Sequence, residues 1–183
     1  MENGDKMVTM QVNDDNGNVL FEKDIAFKNL YHCVTIRNMI NDLGAGEFGK
    51  EGEKFIIPLP SGNVKSPEHL DYVVQYAEFM RTAEFPKDER KEDARIDGVL
   101  TEWEKKFAES TPKNTLIEVV LLANFLEFNY MLEAMCCAMA GLMKDRTTEQ
   151  IREDWGIKND FTKEEEEKIK KENQFIEEAQ ERN

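Results

Sequence analysis

Between Met7 and Val12 apolar side chains fall on alternate positions, with Val8, Met10 and Val12 on one face, and the polar run NDDNGN separates them from a second apolar stretch, Val19 to Phe21. A period of two broken by turn-forming residues predicts a β-hairpin. The period then lengthens. Ile36, Met39, Ile40 and Leu43 recur at helical spacing, which predicts a helix over Thr35 to Leu43 ending on Gly44 as a glycine cap, with GAGEFGKEG after it as a flexible loop. Lys54 to Pro60, KFIIPLP, reads as a short strand whose prolines suit an edge or an end. Ser66 and Pro67 have the character of an N-cap and a first helical residue, opening a helix through Met80 with Leu70, Val73, Val74 and Ala77 turned inward.

From Arg81 to Asp97 apolar periodicity vanishes and charge of both signs dominates, which predicts a mobile loop between two halves of the chain. Thr111 and Pro112 then open a helix, Leu116 to Glu127, that is apolar nearly all round and therefore reads as central and buried, with Asn129 as its break. Tyr130 to Lys144 is a second apolar helix carrying Met131, Met135, Met139 and Met143 down one side. That row is either core packing or an adaptable docking surface, because thioethers repack around varied partners. Thr147 with Gln150 and Thr162 with Glu165 have the spacing of capping boxes, predicting two further helices. The last is charged at nearly every position except Ile169, Phe175 and Ile176. So thin a stripe offers little to hold a helix against its own domain, which leaves two readings: a solvated terminal helix that frays, or a helix that orders on a partner.

Composition narrows the function. A net charge of −14 over 183 residues and a pI near 4.7 argue against nucleic acid and acidic membranes as partners, since both call for clustered Lys and Arg. The chain begins without a signal-like apolar run, and its greasiest segment is interrupted by Glu118, Asn124 and Glu127, so a soluble intracellular protein is expected. Three cysteines, Cys33 and the adjacent Cys136 and Cys137, lack a disulfide framework and read as reduced, buried thiols. No metal or cofactor is expected: His32 and His69 lie in different elements without ligand spacing, and LGAGEFGK lacks the Ser or Thr of a phosphate loop. No nucleophile elbow is present, so an enzyme is not expected.

The stretches VTIRNMINDLG, FIIPLP, EWEKKF, NTLIEVVLLANFLEF and TTEQIREDWGIKNDFTKEEEEKIKKENQFIEE, in this order, closely resemble the Skp-one family, the adaptor of cullin-based SCF ubiquitin ligases; IKNDFTKEEEE and KKENQF are its most specific pieces. The resemblance implies an α/β chain with a BTB/POZ fold over 1–144, including the mobile charged loop at about 81–99, and a C-terminal helical extension over 145–183 that binds F-box helices. It places Asn124 and Phe125 toward the cullin, with Phe where the family usually has Tyr. It places Leu116, Ile117, Cys136, Met139, Met143, Ile157, Phe161, Phe175 and Ile176 toward the F-box, with Phe175 where Trp is usual. Asp145 for the usual Gly, Thr148 for Pro and Cys137 for a polar residue mark a divergent paralogue.

The function implied is a non-catalytic adaptor between a cullin and F-box substrate receptors for ubiquitin-dependent degradation, working in cytoplasm and nucleus without a cofactor. The alternative is a structural or assembly protein using the same fold for self-association, including a homodimer when the F-box is absent, or for F-box complexes without a cullin.

Overall fold

A computed structural model describes residues 6–42, 55–82 and 99–180, with side chains as far as residue 173. The glycine cap and glycine-rich loop after Asp42, the charged stretch between Thr82 and Val99, and the side chains of Phe175 and Ile176 lie outside the described residues.

The alternating segment forms β1 (Met7–Asn13), which pairs antiparallel with β2 (Val19–Ala26) across the polar turn. Asp14 closes that turn: its carboxylate accepts from the backbone N–H of Asn16 and Asn18 at 2.9 and 2.8 Å, and Gly17 supplies a positive φ of 84°. β3 (Phe55–Pro60) joins the other side of β1 in parallel, giving the order β2-β1-β3. Pro58 and Pro60 therefore do sit on an edge strand, where a missing N–H breaks no ladder. Val8, Met10 and Val12 of β1 share their face with Ile57 and Leu59 of β3, and all five are fully or almost fully buried.

After a 3-10 turn at Phe27–Asn29 comes α1 (Val34–Asp42), which buries Ile36 and Ile40. α2 (Pro67–Thr82) starts as expected, with the Glu68 N–H donating to Ser66 Oγ at 3.3 Å, but it runs through Arg81 and Thr82 and buries Leu70, Val73, Tyr76, Ala77 and Met80 rather than Val74. Lys23 on the inner face of β2 ties the sheet to α2 through Asp71 and the Pro67 carbonyl.

α3 (Glu102–Ser110) is a helix that hydrophobic periodicity missed. Thr101 and Glu104 cap it reciprocally: the Glu104 N–H donates to Thr101 Oγ1, and the Thr101 N–H donates to the Glu104 carboxylate at 2.8 Å. Thr111 closes α3 by bonding the Phe107 carbonyl at 2.7 Å, and Pro112 opens α4 (Lys113–Phe125). α5 (Asn129–Met143) follows, so Asn129 begins a helix rather than breaking one. The break lies at Glu127, whose φ is 51°. Phe128 N–H donates to the Ala123 carbonyl and Glu127 N–H to that of Asn124, a Schellman ending with Glu in the place glycine usually takes. α3 and α4 pack on α5, and α2 on α4. Trp103 of α3 stacks between Phe79 of α2 at 4.1 Å and Phe107 at 4.8 Å, so an otherwise polar helix is held by rings.

The chain divides into two compact units after Lys144. The second contains α6 (Thr148–Trp155) and α7 (Lys163–Gln180). Both expected capping boxes form, Thr147 with Gln150 and Thr162 with Glu165.

Candidate protein-protein interface

In the first unit, the expected cullin-facing pair lies on α4. Leu116, Val119, Leu122 and Ala123 form its buried face, and the cap residue Leu126 continues it. The opposite face is not buried: Asn124 is exposed, Phe125 and Ile117 are half-buried, and Leu121 is 52% exposed. These four stand at i, i+4, i+7 and i+8 from Ile117, a single face. The expectation of a wholly buried helix is thus corrected, because neighbours cover only one side of it. Leu121 was missed; its membership of that spacing was the available signal. The end of α4 is fixed from α1: Thr35 Oγ1 donates to the Phe125 carbonyl at 3.1 Å and the Thr35 N–H to that of Leu126 at 3.3 Å. Phe125 is therefore presented from a pinned backbone.

Of the positions expected to meet an F-box, Leu116 is fully buried, so the accessible residue of that pair is Ile117. The methionine row splits likewise. Met131 and Met135 are core residues, whereas Met139 and Met143 are half-buried on the last turns of α5. The buried residues of α5 run from Tyr130 to Ala138, and both half-buried methionines lie beyond them. Cys136 is exposed and Cys137 half-buried, which corrects the expectation that all three thiols are buried. Cys33 is buried, and desolvation pushes its thiol up to about 12.

The second unit exposes Ile157 by 52%, Phe161 by 49% and Ile169 by 38%, while Trp155 is buried. Gly156, with φ 65°, ends α6 in a Schellman turn that sends the Ile157 N–H to the Arg152 carbonyl at 2.8 Å. Hydrogen bonds from Thr162 hold the Glu165 carboxyl below its usual range.

An open cleft of about 670 Å³ lies at the end of α2, lined by Gln75, Glu78, Phe79, Arg81 and Trp103. A cleft between α3 and α5, lined by Leu100, Ala108, Ala138 and Leu142, has a volume of about 260 Å³, below the usual range for ligand pockets. Among the described residues no group of three His, Cys, Asp or Glu converges on a metal position, and no helix is long and apolar enough to cross a membrane. His32 stacks on Phe128 at 6.0 Å instead.

Residues 129–176 match the Skp1 family, dimerisation domain. The chain is 35% identical over 157 residues to the SCF ubiquitin ligase complex protein SKP1b of Dictyostelium discoideum, and equally to SKP1a of that organism, covering 85% of this chain and 87% of each relative. The chain belongs to the Skp1 family. The E3 ubiquitin ligase complex SCF subunit sconC of Arthroderma benhamiae is 32% identical over 169 residues, 90% of this chain and 92% of its own. The Skp1-family match spans α5, α6 and most of α7, and the mixed α/β architecture, a small sheet with seven α-helices among the described residues, agrees with the BTB/POZ-like fold expected.

Proposed function

We propose that this Skp1-family chain is a non-catalytic adaptor that joins a cullin to F-box substrate receptors. The observation that carries this reading is the near full-length similarity to proteins named as subunits of SCF ubiquitin ligase complexes. Such an adaptor does no bond chemistry. It raises the effective concentration of a captured substrate beside the ubiquitin-transferring machinery.

In this proposal residues 1–144 act as the BTB/POZ unit, and the C-terminal end of the exposed face of α4, with Asn124 and Phe125, meets the cullin. Residues 145–183 act as the F-box-binding extension, contributing Ile157, Phe161, Phe175 and Ile176, while Ile117, Cys136, Met139 and Met143 contribute from the first unit. Exposed apolar side chains in both places support this assignment, since large hydrophobics left in water cost free energy that a partner can recover. Phe125 keeps the aromatic contact of the usual Tyr but lacks one hydroxyl, worth about 1 kcal/mol if it was bonded.

Gel filtration of the purified chain with an F-box domain and a cullin N-terminal domain tests the proposal. An adaptor gives a ternary complex eluting as one species. A binary complex with the F-box domain alone would favour the assembly-protein reading, and no complex with either would reject both partners.

A further inference from the structure

We propose that Arg152 is a positioning residue that presents Phe161, one of the exposed hydrophobics of the second unit, to the F-box; this rests on the adaptor reading above. The loop from Gly156 to Thr162 has no secondary structure of its own, yet it carries Ile157 and Phe161, which are 52% and 49% exposed. A flexible loop would have to be ordered on binding, at a cost for every rotamer-rich side chain immobilised. Here the ordering is done in advance: a backbone hydrogen bond fixes Ile157, and the Arg152 side chain holds Phe161.

The backbone carbonyl of Arg152, as that of any residue in its place would, accepts the Ile157 N–H at 2.8 Å. Its guanidinium carbon lies 5.7 Å from the centroid of the Phe161 ring, within cation–π range, so the charge lies over a ring that is half exposed. The same guanidinium reaches Glu166 Oε1 on α7 at 3.4 Å. Glu166 Oε1 also accepts from Asn159 Nδ2 at 2.7 Å, and Asn159 Oδ1 accepts the Phe161 N–H at 3.2 Å. The circuit runs from α6 to α7, through Asn159, and back to Phe161. The Arg152 side chain is itself only 18% exposed, so its charge is partly shielded from salt while the ring it steers faces outward. Ordinary hydrophobic packing would turn Phe161 inward; this arrangement holds it out.

The test is a double-mutant cycle on affinity for a purified F-box domain, using the full chain as wild type, Arg152→Ala, Phe161→Ala and the double variant. Arg152→Ala should weaken binding about two- to tenfold through faster dissociation, and by much less when Phe161 is already Ala. Arg152→Lys, which keeps the charge but not the planar fork, should recover part of the loss. Equal losses with and without Phe161 would overturn the proposal, since Arg152 would then act independently of the ring. A wild type that fails to bind any F-box domain would reject the adaptor reading instead. Should Arg152→Ala lose the circular-dichroism signal of α6, Glu166→Gln, which breaks the ion pair and spares α6, supplies the same comparison with the same two outcomes.

Discussion

The Tyr76 hydroxyl stands 2.6 Å from Glu104 Oε1, with both side chains wholly out of contact with water. Glu104 thereby does two things at once: its carboxylate caps α3 through Thr101, and it engages α2 through Tyr76, whose oxygen also lies 3.1 Å from the Tyr130 carbonyl of α5. Tyr76→Phe removes a donor from a buried carboxylate and should destabilise the first unit by about 1–3 kcal/mol in urea unfolding. Glu104→Ala should cost more, because the capping box goes with it.

Cys33 gives a pH signature. Its folded thiol titrates at about 12 because burial disfavours the thiolate, against an ordinary value of 9.0. The folded state holds the proton that the unfolded state releases, so this contribution is fully present below pH about 9 and is lost as pH rises toward about 12. The slope should approach about −1.4 kcal/mol per pH unit within that window. Cys33→Ala should flatten it, measured as the difference in pH dependence between the two proteins. At pH 8 a thiol-reactive dye should label Cys136 well before Cys33.

On α4, replacing Asn124 and Phe125 together by Lys should abolish capture by a cullin N-terminal domain while leaving F-box affinity within about twofold. Adding Leu121→Lys alone should weaken cullin capture as well, since it extends the same exposed face. Cullin binding that survives the double change would remove the patch from the interface.

α7 should be unevenly ordered before any partner arrives. Its first turn is held by the Thr162–Glu165 box and by Glu166, whereas Ile169 is 38% exposed and lies among charged neighbours. Amide exchange in the free chain should be slowest near Glu165 to Glu167 and fast beyond Ile169, slowing there on addition of an F-box domain. Phe175→Ala should weaken F-box affinity about tenfold, the loss of roughly one buried aromatic ring, with hardly any change in melting temperature. Uniform protection along α7 in the monomeric free chain would contradict coupled ordering.

Much of this architecture is legible in local signals that need no tertiary knowledge. The hairpin follows from alternation around NDDNGN, and the starts of α2, α6 and α7 follow from Ser66, Thr147 and Thr162. The same kind of signal, Thr101 followed by Glu104, stands before α3, but apolar periodicity does not mark a helix whose hold on the fold is a stack of rings. Burial is where sequence runs out. Leu116 and Ile117 are adjacent and alike, as are Met135 and Met139 in a row of four, and only the position of neighbouring helices sends one of each pair to the core. The end of α4 was misplaced for a different reason: a Glu at positive φ carries no compositional mark.

The small sheet bears on how such a chain survives alone. Strand edges are templates for recruiting further strands, the usual start of aggregation, and a subunit synthesised before its partners must keep them quiet. β3 does so by chemistry: a proline in a paired strand turns its nitrogen away from the partner, so Pro58 and Pro60 leave the outer edge two donors short. β2 does so by charge. An in-register antiparallel copy centred on Lys23 would set Lys23 against Lys23 and Glu22 against Asp24, a stack of like charges. These devices matter because the strands themselves carry exposed apolar residues, Met7, Val19, Leu20 and Ile56; the edges are made poor seeds for a fibre by prolines and like charges, not by a lack of apolar surface.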